Sequence, residues 1–177
     1  MKISHSRMFY LSRSALFAAL IFLGTYLIRI PIPSGYIHFG DGFIYAAAAI
    51  LPPAYSMAAA AVGGVLSDVL AGYALYAPWT AVIKALAALP AALLCRKHGL
   101  EVMMLRVDGK RNPQGILPLL LIVLLSGIVQ IGGYFLADLF LYSLPMALAG
   151  IPMNAVQSLA GIAIFLLAAP LIRRSAK

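Results

Sequence analysis

The chain has 177 residues, 63% of them hydrophobic and 10% charged, with a formal net charge of +8. Soluble domains carry about 25% charged residues, so the composition excludes a soluble globular protein and implies a single integral membrane domain. The lone Cys95 excludes an internal disulfide, and His5, His38 and His98 lack metal-ligand spacing, so no metal site is expected.

A helix crosses the hydrocarbon core with about 20 residues. The N-terminal thirteen residues are basic, and the apolar run behind them continues to Ile30 without a small-residue cleavage site. They are read as leading into a first spanning helix rather than as a signal peptide. That segment covers about Ser14–Ile30 and ends in "IPIPSGYIHFGDGF". Segment two, about Asp41–Leu51, is stopped by Pro52-Pro53; its eleven residues reach only about 16 Å, half a bilayer. The chain before it must therefore dip to membrane depth, which irregular backbone does only where protein buries it or it lines a wet cavity. Segments three and four cover about Ala54–Gly72 and Pro78–Cys95; a basic loop, Arg96 to about Pro113, follows. Segments five and six cover about Ile116–Tyr142 and Pro152–Ile172.

Eleven of the thirteen basic residues lie before segment one, in the 96–113 loop or after segment six; the other two are Arg29 and Lys84. An even number of crossings separates those three regions, so the positive-inside rule places both termini and the basic loop in the cytoplasm. The charge reports orientation, and no nucleic-acid partner is expected.

Ionisable groups in spans are costly and are functional candidates by default. Arg29, Asp41, Asp68, Lys84 and Asp138 all fall in the outer halves of their segments, and Asn154 and Gln157 open segment six on that side. A channel needs polar groups along its whole length, whereas an outward pocket needs them at one end. Gln130, Tyr134 and Asp138 recur at helical spacing, as do Thr80 with Lys84, Gly64 with Asp68 and Gly72, and Asn154 with Gln157 and Gly161. Tyr36, Tyr73, Tyr76 and Trp79 add rings at the same level. Bland readings stand beside these. Arg29 snorkels to headgroups; Trp79, Tyr73, Tyr76 and Tyr142 form an interface belt; Asp68 and Lys84 make a structural ion pair; Asp41 caps its helix; Asn154 and Gln157 bridge helices.

No phosphate-binding loop is present, since Gly109-Lys110 lacks the upstream glycine, and Ser34 and His38 make no clear nucleophile–base pair. The chain is not expected to be an enzyme. Six helices without repeats make a poor self-contained transporter, which leaves a binding subunit that draws energy from others.

"IPIPSGYIHFGD", "GGVLSDVLAGYALYAPWTAVIK" and "ALFAAL" resemble the substrate-binding S components of energy-coupling factor (ECF) vitamin transporters of prokaryotes. The likeness runs over about Ser14–Ala88. It implies an all-α integral membrane protein of six transmembrane helices, cytoplasmic termini and an outward vitamin pocket capped by the loop after helix one. It implies as partners a membrane coupling (T) subunit and two cytoplasmic ATPases, which use the ATP, with no cofactor in the chain itself. Delivery is then by toppling against the coupling subunit. Ala15 and Ala19 match the Ala-x-x-x-Ala pattern that docks there, though they also suit packing within the chain. Candidate pocket residues are Tyr36, His38, Asp41, Asp68, Tyr73, Trp79, Lys84, Tyr134, Asp138, Asn154 and Gln157. Rings, carboxylates and amides suit a flat hydrogen-bonding heterocycle, such as the pyrimidine precursor of thiamine or a pyridoxine-like vitamin; Lys84 leaves anionic vitamins such as pantothenate or niacin open. The competing readings are a membrane scaffold subunit of a cell-envelope complex and an intramembrane hydrolase using Asp68 or Asp138 with Lys84.

Overall fold

In the computed structural model, residues 5–32, 35–99, 106–107 and 110–175 are described; Lys2, Pro33, Ser34, Lys177 and part of the basic loop lie outside them. The described residues form six α-helices: α1 His5–Tyr26, α2 Gly40–Ile50, α3 Pro53–Leu70, α4 Ala77–His98, α5 Ile116–Leu141 and α6 Leu144–Ser175. All but α2 are long and apolar enough to cross a membrane.

Local chemistry sets most of the ends. Residues before proline avoid the helical region. Around Pro31 the chain accordingly leaves the helix and forms an antiparallel hairpin, β1 Arg29–Ile32 with β2 Gly35–His38, in which Arg29 faces His38 and Ile30 faces Ile37. The first helix thus stops short of the expected Ile30. Leu51 is extended (φ −96°, ψ 151°) ahead of Pro52, ending α2, and Pro53 starts α3, where a missing N–H costs nothing. Gly72, at φ +86°, makes the left-handed turn into α4. Arg96, Lys97 and His98 occupy the last turn of α4, favourably placed against its dipole. Within the basic loop, β3 Arg106–Val107 pairs with β4 Lys110–Arg111.

The largest departure from the sequence reading is at α6. The stretch expected as an outer loop, 143–151, is helical from Leu144, and Pro152 lies inside a 32-residue helix. Spanning helices tolerate internal proline because neighbouring groups re-satisfy the freed backbone. Asn154 and Gln157 therefore sit about 15 and 20 Å into the helix rather than at its mouth.

The helices close a ring: α1 packs on α3, α3 on α4, α4 on α5, α5 on α6, α6 on α2, and α2 back on α1, with α2 also against α4. Small residues let these backbones approach. Ala46, Ala47, Ala48, Ala59, Ala60, Ala87, Ala88, Ala91 and Ala92 are all buried. One cluster joins Tyr45, Leu119, Ile122, Ile162 and Phe165 between α2, α4, α5 and α6; a second joins Ala18, Ile21, Ile44 and Ala60 on the α1–α3 side. Exposed Leu16, Leu66, Val82, Leu120, Leu124, Ile128, Val156 and Leu159 face outward, as a lipid-solvated surface requires.

Candidate functional site

Because α2 is only about 16 Å long, its N-terminus lies inside the bundle, and a cavity opens above it. That cavity encloses about 600 Å³ of empty space, its open mouth included. It lies between the C-terminal ends of α1, α3 and α5, the N-terminal end of α4, the first half of α6 and β2, at the end of the bundle opposite the basic loop. Beneath it lie the alanine-rich core clusters.

The floor is a buried polar knot drawn from four helices. Lys84 Nζ of α4 donates to Asp41 Oδ1 of α2 at 2.6 Å and to Gln130 Oε1 of α5 at 3.1 Å. Gln157 Nε2 of α6 donates to the other oxygen, Asp41 Oδ2, at 3.2 Å. Lys84 and Asp41 are each only 2% exposed. Charges this deep persist only when paired and hydrogen-bonded, so the knot holds together helices far apart in sequence. Two glycines make it possible. A Cβ at Gly161 would lie 2.5 Å from Asp41 Cβ, and one at Gly64 would lie 2.7 Å from Thr80 Cγ2, next to the Lys84 stem. Tyr134 places its ring centroid 5.4 Å from Lys84 Nζ and its hydroxyl 3.2 Å from Thr80 Oγ1.

Higher in the cavity, two carboxylates are each held by a tyrosine. Tyr36 of the hairpin donates to Asp68 Oδ1 at 2.7 Å, and Tyr76 donates to Asp138 Oδ1. The Tyr36 ring also lies 5.1 Å from that of Tyr73. Two buried polar atoms of this region lack a hydrogen-bond partner among the described residues: Asp68 Oδ2 and Gln130 Nε2. One is an acceptor and the other a donor.

His38, at the end of β2, is buried. Its Nδ1 accepts from the Gly40 N–H at 3.1 Å, and Thr25 Oγ1 lies 3.5 Å away. The ring proton therefore resides on Nε2. Burial is the main reason its pKa is pushed down to about 3; Lys84 pushes the same way, and Asp41 opposes both. His38 is a neutral link between hairpin and α2.

Of the residues picked out in sequence, Tyr36, His38, Asp68, Tyr73, Lys84, Tyr134, Asp138, Asn154 and Gln157 line this one cavity, with Asp41 bonded beneath it. Trp79 does not: it is half-buried and packs against the exposed Phe140, ring centroids 5.8 Å apart, on the outer surface. The Asp68–Lys84 ion pair is not formed, because Lys84 pairs with Asp41. Asp41 is not a cap either; Phe39 holds the N-cap position, and the Asp41 carboxylate is engaged by Lys84 and Gln157. Thr25, Tyr76, Thr80 and Gly64 also line the cavity. Thr80 and Gly64 were signalled by sharing helical faces with Lys84 and Asp68, whereas a single threonine ending α1 gave no signal.

The profile of the family described as the S component of the ECF-type riboflavin transporter matches residues 9–174. An uncharacterized protein in the gap 3'region of Pyrococcus woesei is 34% identical over 142 residues, 79% of this chain and 85% of that protein. Among solved structures, the S component of a bacterial ECF transporter superposes with a TM-score of 0.70 at 18% identity, covering 97% of this chain and 99% of that one. The S component for biotin from an ECF-type ABC transporter superposes with a TM-score of 0.63 at 17% identity, covering 99% and 95%. The fold is that of these ECF S components. The chain belongs to the ECF-type riboflavin transporter S component family.

Proposed function

We propose that this chain captures a small vitamin or vitamin precursor from outside a prokaryotic cell and delivers it inward as the substrate-binding subunit of an ATP-driven ECF importer. The observation that carries the reading is the cavity. Its polar lining comes from one end of the bundle only, opposite the basic loop that the positive-inside rule assigns to the cytoplasm. Beneath it lies packed core rather than a polar path, so the ligand crosses by movement of the whole subunit against a coupling subunit, with two ATPases supplying energy. Ala15 and Ala19 suit the docking role because both are exposed on one face of α1.

Tyrosine rings with carboxylates and amides at their edges support a flat heterocycle whose rim both donates and accepts. Riboflavin, named by the family description, has such a rim; so do the pyrimidine precursor of thiamine and pyridoxine-like vitamins. The pairing of Lys84 with Asp41 argues against pantothenate or niacin, since the one ammonium is already neutralised. The test is uptake of these labelled vitamins by proteoliposomes that also contain a coupling subunit and its ATPases. ATP-dependent accumulation of one vitamin is expected; accumulation of none, with each subunit folded, contradicts the reading.

A further inference from the structure

Around the cavity, carboxyl groups outnumber cationic side chains. Every element around it contributes to the count. α1 brings only Ile21 and Thr25, the hairpin brings Tyr36 and neutral His38, and α6 brings the uncharged Asn154 and Gln157. Asp41 of α2 is cancelled by Lys84 of α4 at 2.6 Å. That leaves Asp68 of α3 and Asp138 of α5, buried at 6% and 2% exposure, with no cation against either in the described residues. Arg29 does not supply one: it is exposed, its guanidinium lying 4.4 Å from the Tyr26 ring centroid and 5.8 Å from that of Tyr36.

Both carboxylates are positioned by a tyrosine, and among the described residues Asp68 keeps an open oxygen. Tyr36 and Tyr76 each fix one oxygen, and Asp68 Oδ2 is left without a partner in a side chain that lines the cavity. The rings of Tyr36, Tyr73, Tyr76 and Tyr134 line the same space, and aromatic faces attract cations. A buried carboxylate with one oriented and one open oxygen, set among π-faces, is complementary to a positive group on a flat ring.

We propose that the ligand of this cavity is a basic heterocycle, one bearing a protonated amine or ring nitrogen, whose positive charge is received by Asp68 and Asp138. The inference rests on the vitamin-capture reading and narrows it, because it ranks amine-bearing rings above neutral ones such as riboflavin.

Matched pairs test it by titration calorimetry on the purified full-length chain: pyridoxamine against pyridoxine, and the aminopyrimidine half of thiamine against its oxo counterpart, with riboflavin as a neutral flavin. The amine of at least one pair should bind about tenfold or more tighter than its partner, and Asp68→Asn or Asp138→Asn should shrink that ratio. The wild-type ratio decides even where a variant does not fold. Equal or tighter binding of the neutral partners or of riboflavin overturns the inference and leaves vitamin capture standing. Silence from the whole panel, with monodisperse folded protein, overturns the inference and vitamin capture together.

Discussion

Lys84 is the residue on which the bundle turns, since its ammonium contacts side chains of α2 and α5 while Asp41 passes the link on to α6. Removing one partner of a buried pair strands the other charge, at about 3–5 kcal/mol. Lys84→Met should therefore lower the melting temperature of detergent-purified protein sharply, and adding Asp41→Asn should restore much of the loss. A double variant no more stable than the single one contradicts the pairing. His38 gives the pH counterpart. Its folded pKa of about 3 lies below the unfolded value of 6.5, so the unfolded chain binds the proton first. The His38 contribution is present in full above about pH 6.5 and is lost progressively as pH falls toward 3. Melting temperature measured from pH 7.5 to 5 should fall more steeply for wild type than for His38→Asn, and parallel curves would contradict a buried neutral imidazole.

At the scale of elements, the short α2 makes the cavity, and glycine contacts set how tightly its neighbours close on it. Gly161→Ala places a methyl against the Asp41 backbone and side chain, where nothing can yield cheaply. Overpacking of this kind costs about 1–3 kcal/mol. Gly132→Ala, with nothing within 4 Å of the added Cβ, should be neutral or stabilising by up to about 1 kcal/mol from helix propensity. Thermal melts of the two variants compare them directly, and equal effects would contradict the close α2–α6 approach. The same elements mark how far the sequence was legible. Hydropathy and proline placement locate the spans, and the shortness of segment two betrays the cavity before any coordinates. Helical spacing shows which residues share a face, but not which faces meet, so it pairs Lys84 with Asp68 as readily as with Asp41. Trp79 lies one residue before Thr80, and that step of about 100° turns it out toward Phe140. Pro152 looks like a helix start because proline favours the first helical position; within this packed bundle the helix runs through it.

For the whole molecule, polarity is sorted along the axis: a polar-lined cup at one end, basic residues at the other, and apolar side chains over the sides. The proposed binding and partner-docking surfaces are separate, since the cavity lies inside the ring and Ala15 and Ala19 are exposed outside it on α1. Ala15→Trp or Ala19→Trp should abolish ATP-driven uptake while ligand affinity of the isolated chain stays unchanged; loss of binding in calorimetry would place those alanines in internal packing instead. The central claim, that the cup is a ligand receptor, is tested most directly by native mass spectrometry of the protein purified from its host in mild detergent. The account predicts one small molecule of vitamin-like mass per chain, displaced when Asp68→Asn and Asp138→Asn are combined. A folded, monodisperse wild-type chain that carries no such molecule and acquires none from added vitamins would contradict it.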